Sequence, residues 1–250
     1  MKFMAIIPAR YASTRFPAKP LAVLGGKTII QRVYERVAQV FPLLCVATDD
    51  ERIFNEVERF GGKAIMTSTS HRSGTDRCYE AFCKMGADAD VVVNVQGDEP
   101  FIAPSQLHTI MDCFNDANTE IATLVKPFTH DTPIEQIENP NSPKVVVSND
   151  GYALYFSRSV IPYLRGIDRA DWPQHHTYLK HIGLYAYRAE ALKRITAMPQ
   201  GNLEQCESLE QLRWLQAGLR IKVGTTDVET IGIDTPQDLL RAEDFLKHQK

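Results

Sequence analysis

The first 34 residues contain no aspartate and no glutamate, although they carry six lysines and arginines in a 250-residue chain of net charge −3. Other absences narrow the field. No stretch approaches the roughly 20 apolar residues of a membrane span, so no membrane insertion is expected. The N-terminal apolar run is too short for a signal-peptide core and is followed at once by Arg10. The five cysteines are odd in number, scattered and without a C-x-x-C pair, which excludes a disulfide framework and a zinc site and fits reduced thiols in a cytoplasmic protein. Neither a G-x-x-x-x-G-K-[ST] loop nor a G-x-G-x-x-G fingerprint occurs. An isoelectric point near 6.2 argues against a nucleic-acid partner, which would call for a basic stripe.

What is present alternates strand and helix. Phe3–Ile7 is a continuous apolar run of the kind buried on both faces of a parallel sheet, Leu44–Ala47 reads as the second strand, and Val91–Val95 is the most strand-like run in the chain. Between them lie helical stripes. Thr28 with Gln31 forms a capping box, Asp49 or Asp50 caps a second helix, and Gly61-Gly62 and Gly86 are stops. Such repeats predict a mostly parallel Rossmann-like α/β sheet with helices on both faces. Past residue 120 the pattern changes. Asn149-Asp150-Gly151 predicts a hairpin turn between 144–148 and 152–156. Segment 165–177 reads as an exposed loop and 182–187 as a strand. The leucines 203, 209, 212, 215 and 219 predict one long helix, residues 230–233 a strand and 236–247 a terminal helix. We expect a single domain over residues 1–250, with an antiparallel excursion over roughly 145–190 that builds a dimer interface or a substrate lid.

The acid-free segment ends the first strand with Pro8-Ala-Arg-Tyr-Ala-Ser-Thr-Arg-Phe-Pro-Ala-Lys-Pro20. Arg10, Arg15 and Lys19 concentrate positive charge in a non-helical loop. Guanidinium forks and an ammonium suit phosphate oxygens; a solvated surface loop is the competing reading. Asp98, past the strand 91–95, and Asp234, past a second apolar run, lie where open α/β sheets bind ligands. Two such carboxylates suit Mg²⁺, which takes oxygen ligands and keeps waters and phosphates in its shell. For Asp234 the alternative is a helix start, with Thr235 as cap and Pro236 first in the helix; for Asp98 it is a turn. In His71-Arg-Ser-Gly-Thr-Asp-Arg77, Ser73 or Thr75 could serve only as a cap, while Arg77 is a cation misplaced in a helix's first turn, which hints at an anion or a base edge.

Taken in order, P-A-R-Y-A-S-T-R-F-P-A-K-P-L, H-R-S-G-T-D-R, N-V-Q-G-D-E-P, K-V-V-V, G-Y-A-L-Y-F-S-R, H-I-G-L-Y-A-Y-R, L-E-Q-L-R and I-D-T-P-Q-D-L closely resemble the 3-deoxy-manno-octulosonate (Kdo) cytidylyltransferase family, from Phe3 to about Leu240. The resemblance implies a homodimeric, cytoplasmic, GT-A-like nucleotidyltransferase that uses CTP and Mg²⁺ to make CMP-Kdo and pyrophosphate for lipopolysaccharide synthesis. It implies that Arg10, Arg15 and Lys19 hold the triphosphate and that Asp98 and Asp234 hold the metal. Ser73, Gly74 and Arg77 would bind cytidine; Gln96, Arg158, His181, Tyr185, Glu210 and Gln211 would bind the sugar acid. Unaided, Arg158 reads as a surface arginine, His181 and Tyr185 as strand packing, and Glu210 and Gln211 as the solvated side of a leucine-striped helix. Gln237 stands where the family often has Glu, and 165–177 matches no family pattern. A synthetase for another sugar acid such as CMP-sialic acid, a GT-A glycosyltransferase and a non-catalytic nucleotide-binding protein are the rival readings.

Overall fold

The computed structural model describes residues 1–12, 15–229 and 232–248. Its strands are β1 (Phe3–Ala9), β2 (Val23–Leu24), β3 (Lys27–Thr28), β4 (Leu44–Thr48), β5 (Ala64–Met66), β6 (Val91–Asn94), β7 (Ile121–Pro127), β8 (Lys144–Val147), β9 (Ala153–Ser157), β10 (Leu179–Arg188) and β11 (Ile221–Thr225). Backbone contacts divide the chain into two compact units. The first holds Met1–His108, Tyr187–Thr196 and Glu229–Lys250, and the second Thr109–Ala186 and Ala197–Val228.

In the first unit β1 pairs in parallel with β4 on one side and β6 on the other, and β5 extends the sheet beyond β4. The apolar runs explain this order: Met4–Ile7, Cys45–Ala47 and Val91–Val93 are all fully buried, as central parallel strands require. The helix Ile29–Val37 buries Ile29, Ile30, Val33 and Val37. Its cap is half the expected box. Thr28 accepts the Gln31 amide hydrogen at 3.3 Å, but the Gln31 side chain donates to Glu35. Asp50, not Asp49, caps Glu51–Arg59, and Ser73 caps Gly74–Met85. Gly25 and Gly26, at φ 55° and 81°, turn β2 into β3 as a two-residue hairpin requires.

In the second unit β11 and β7 run parallel, and β8 and β9 form the expected hairpin, with Val146 opposite Tyr155 and Gly151 at φ 79°. β8 also bridges β10 antiparallel at Lys144 and Lys180. Three expectations change here. The long leucine helix is two short ones, Asn202–Glu207 and Gln211–Gln216, interrupted at Ser208, which takes φ 52°. Segment 165–177 is not simply an exposed loop. It holds a helical turn at Arg169–Asp171 and the helix Trp172–His175, and Trp172 packs with Ile134, Ile137 and Tyr178 in a small buried cluster. Of the expected strand at 230–233, residues 230 and 231 lie outside the described residues, and Gly232 and Ile233 form no strand.

Lys144 is fully buried. Its ammonium donates to the carbonyl oxygens of Arg158 (2.6 Å) and Asn139 (3.2 Å). Burial lowers its pKa to about 8 from 10.5, with the charge of Glu207 acting the other way. An unfolded chain therefore binds more protons than the folded one between those values, and stability rises with pH across that window. Compared with Lys144→Met, the wild-type thermal midpoint should gain several degrees as pH goes from 8 to 10.5. A difference between the two proteins that does not change with pH would refute the depressed pKa.

Candidate active site

A cleft of about 440 Å³ opens in the first unit past the carboxyl ends of β1 and β6. Its walls follow from the backbone of the two strands. Ile6 lies opposite Asn94, Val95 N donates to Ile6 O at 3.0 Å, and the chain then turns through Gln96-Gly97-Asp98. Gly97 has no room for a side chain, since a Cβ there would stand 2.9 Å from the Pro8 carbonyl oxygen. Gly74 approaches the same proline, with a Cβ position 3.2 Å from its ring. Two glycines thus let the 96–98 turn and the start of the Gly74–Met85 helix close on the end of β1.

Lys19 opens a short 3-10 turn, Lys19–Leu21. Ala18 before it is left-handed at φ 58°, and Pro20 follows it. A left-handed alanine is strained by about 1–2 kcal/mol, and Ala18 N donates to Tyr11 O at 3.0 Å, closing the loop. The Tyr11 ring lies under the Arg52 guanidinium at 3.2 Å. This bracing aims the Lys19 ammonium, its side chain only 14% exposed, between two carboxylates: Asp98 at 2.5 Å and Asp234 at 3.2 Å. Arg15 reaches Asp234 at 3.2 Å. Arg10 lines the cleft and pairs with no carboxylate among the described residues. The acid-free loop therefore has partners, and they are the two carboxylates read from the sequence as metal ligands.

Asp234 is brought to the cleft by a backbone bond, Ile233 N to Asp98 O at 2.9 Å. The helix-start reading of this segment falls on its neighbour. The Thr235 hydroxyl accepts the Asp238 amide hydrogen at 3.2 Å, and the Asp238 carboxylate accepts from the backbone amides of Thr235 and Asp234. Burial pushes the Asp238 carboxyl up, but these hydrogen bonds outweigh it and hold it below the usual range. With Thr235 and Asp238 capping Pro236–His248, the Asp234 side chain is left for the cleft.

The donor set fits Mg²⁺. Two carboxylates converge on the position of one cation, and among the described residues no third His, Cys, Asp or Glu joins them. That leaves the rest of an octahedral shell to water and phosphate, as this ion prefers. The D-x-D triplet Asp88-Ala89-Asp90 precedes β6 instead. Asp90 accepts the Lys2 backbone amide hydrogen at 2.7 Å, and Asp88 pairs with the Lys2 ammonium. Its place at the other end of the strand gives a glycosyltransferase reading no support.

Arg77 lines the same cleft, but its anion is a protein carboxylate. The guanidinium is buried; it donates to Asp49 at 2.7 Å and Thr67 at 2.6 Å, and Nε is buried with no hydrogen-bond partner among the described residues. Ser73 accepts the Asp76 amide hydrogen at 3.1 Å and caps the helix. Gln96 lines the cleft and reaches Asn94 at 3.5 Å.

The remaining sugar-acid candidates are in the second unit. Arg158 donates to the carbonyl oxygens of Glu207 (2.5 Å), Pro140 (2.7 Å) and Ser208 (3.2 Å). The guanidinium thus spends three of its five donors on backbone, including the break between the two short helices. His181 and Tyr185 are in ring contact at 5.4 Å, and Tyr185 meets Trp214 at 5.3 Å. Burial holds the His181 imidazole down at about 3. It pushes the Tyr185 phenol up, the Glu210 charge adds to that, and the Thr123 hydroxyl opposes it. Glu210 pairs with Arg213 at 2.7 Å. Gln211 is not solvated as its place on a leucine-striped helix suggests. It is 4% exposed, with an Nε2 that has no hydrogen-bond partner among the described residues. The break at Ser208 is the reason, because it resets the face that the second helix presents. Thr123 is the contact that residue patterns do not point to: its hydroxyl touches His181, and nothing in Ile121–Pro127 marks it out from sheet packing.

A cytidylyltransferase family model matches residues 4–221. The 3-deoxy-manno-octulosonate cytidylyltransferase of Bacteroides thetaiotaomicron is 68% identical, and the match covers 100% of both chains. The chain belongs to the 3-deoxy-manno-octulosonate cytidylyltransferase family. The Porphyromonas gingivalis member is 55% identical over 98% of this chain and 97% of that one. A solved CMP:2-keto-3-deoxy-manno-octonic acid synthetase complexed with CTP is 41% identical and superposes over 100% of both chains with a TM-score of 0.91. The fold is that of the α/β nucleotidyltransferases. A 4-diphosphocytidyl-2C-methyl-D-erythritol synthase from Anaerococcus prevotii, 12% identical at a TM-score of 0.62, shares the fold alone.

Proposed function

We propose that this member of the cytidylyltransferase family transfers the cytidylyl group of CTP to Kdo, giving CMP-Kdo and pyrophosphate. The observation that carries the reading is the convergence of Lys19, Arg15, Asp98 and Asp234 in one cleft past β1 and β6. The full-length relatives supply the acceptor, by the name they bear.

In this reading the 2-hydroxyl of Kdo attacks the α-phosphorus of CTP. A new P–O bond forms as the hydroxyl proton passes to solvent, and the bond to the β,γ-pyrophosphate breaks with its electron pair leaving on pyrophosphate. Arg10, Arg15 and Lys19 bind the triphosphate and offset the charge that collects on the leaving pyrophosphate. Ser73, Gly74 and Arg77 bind cytidine, and Gln96, Arg158, His181, Tyr185, Glu210 and Gln211 bind the sugar acid. Asp98 and Asp234 would hold Mg²⁺, which when bound polarises the α-phosphate and acidifies the attacking hydroxyl. No protein nucleophile is needed, and the residues act by positioning and charge. A cytoplasmic homodimer serving lipopolysaccharide synthesis completes the reading. No helix among the described residues is long and apolar enough to cross a membrane.

Pyrophosphate release tests this directly, with CTP, Mg²⁺ and Kdo set against UTP, ATP and sialic acid. The expected result is rapid release from the CTP–Kdo pair and little from the others. Faster release with sialic acid would move the protein to another sugar acid, and none with any pair would leave a nucleotide-binding protein.

A further inference from the structure

Thr123 sits in the middle of β7, fully buried; its hydroxyl acts on the Tyr185 phenol and has three further groups at hydrogen-bond distance. The Leu184 carbonyl oxygen is at 2.9 Å, the Ile182 carbonyl oxygen at 3.2 Å and the His181 Nε2 at 3.0 Å. A hydroxyl has one proton and otherwise accepts, and a carbonyl oxygen only accepts. Were that proton aimed at Nε2, two carbonyl oxygens would face the hydroxyl lone pairs at hydrogen-bond distance. The arrangement without repulsion sends the proton to the carbonyls and leaves the oxygen to accept from His181. Nε2 must therefore carry a hydrogen.

The rest of the ring is fixed as well. His181 N donates to the Pro143 carbonyl oxygen at 2.8 Å, and the imidazole makes an edge contact with Phe156 at 5.0 Å and a tilted one with Tyr185. Burial keeps the ring neutral, so it carries one N–H, and with that hydrogen on Nε2 the other nitrogen, Nδ1, is a bare lone pair. A lone pair attracts a hydroxyl hydrogen and repels a carboxylate.

We propose that Thr123 is a positioning residue of this enzyme, fixing His181 as the Nε2–H tautomer so that Nδ1 accepts a hydrogen bond from a hydroxyl, not the carboxylate, of the sugar acid. The proposal rests on His181 belonging to the sugar-acid pocket, as in the proposed function. It makes Thr123 a determinant of acceptor specificity that never touches the nucleotide.

The test uses the full-length protein and has two readouts. Long-range ¹⁵N–¹H correlation of the imidazoles, with His181 assigned by its loss in His181→Gln, should show Nε2–H in the wild type. Finding Nδ1–H there overturns the proposal without any variant at Thr123. Thr123→Val keeps the branched shape and removes the hydroxyl. It should lose the single tautomer and raise the KM for Kdo about tenfold, the effect of one hydrogen bond, with the KM for CTP unchanged. Thr123→Ser should restore both readouts, and thermal midpoints report whether each variant folds. A wild-type KM for Kdo in folded Thr123→Val, while His181→Gln raises that KM, overturns the role of Thr123 alone. An unchanged KM for Kdo in His181→Gln removes His181 from the pocket and takes the proposal with it, whatever tautomer is seen.

Discussion

Asp98→Asn and Asp234→Asn should each cut Mg²⁺-dependent pyrophosphate release from CTP by about 10²–10³-fold or more, the scale of losing one preorganised electrostatic group. Both variants should remain folded. The geometry separates the two effects. Asp98 and Asp234 meet the Lys19 ammonium at 2.5 and 3.2 Å, but their side chains are 29% and 48% exposed. Ion pairs so open to solvent contribute about 0–1 kcal/mol, so the thermal midpoint should move by only a few degrees. For the chemistry the same change is large. Asparagine keeps the shape and one acceptor oxygen but removes a full charge from a pair that would hold a divalent cation. Steady-state turnover at a series of Mg²⁺ concentrations checks this, and near-normal turnover in either variant would reject the metal assignment. If the carboxylates served only to neutralise Lys19, the variants would lose stability and keep their rate.

Arg15, Lys19, Asp98 and Asp234 stood out in the sequence as candidates, but their mutual arrangement did not. Phe3–Ile7 and Val91–Val95 read correctly as buried parallel strands because a run that is apolar throughout, or apolar but for Asn94, leaves little choice. Placing Asp98 past one of them needed only the rule that ligands gather there. The pairing of Lys19 with Asp98 and Asp234 spans 79 and 215 positions of chain, and no local pattern reports such a distance. The same holds for Arg77, whose position in a first turn looked like an invitation to an outside anion until Asp49, 28 positions away, was found to fill it.

In the second unit local patterns misled for a physical reason. A leucine period of three and four is the same in one long helix as in two short ones, and a single left-handed serine at 208 separates them without altering that period. Gln211 was consequently assigned to the solvated face although the structure buries it. Trp172 was hidden in a polar stretch because its partners Ile134, Ile137 and Tyr178 come from separate segments. Thr123 lay among Ile121, Ala122, Leu124 and Val125, where a threonine looks like ordinary β-sheet filling.

Asp49→Ala should be the most destabilising single change near the cleft, lowering the thermal midpoint by about 10 °C. The Arg77 side chain is 1% exposed, and Asp49, at 16%, is the carboxylate paired with it. Removing one member of a buried pair leaves an uncompensated charge and costs about 3–5 kcal/mol, and in a chain of this size each kcal/mol moves the midpoint by about 2–4 °C. Thr67 still accepts from one guanidinium nitrogen, but a neutral hydroxyl does not balance a buried cation. Asp49→Ala combined with Arg77→Met should regain most of the loss, because apolar groups that fill the same space are about as stable as a buried ion pair. A midpoint within about 2 °C of wild type for Asp49→Ala alone would show that the pair is solvated and the account wrong. The double variant also separates scaffold from function. Its fold should recover, whereas its KM for CTP should stay raised, because Arg77 lines the cleft and a methionine there offers nucleotide no hydrogen-bond donor.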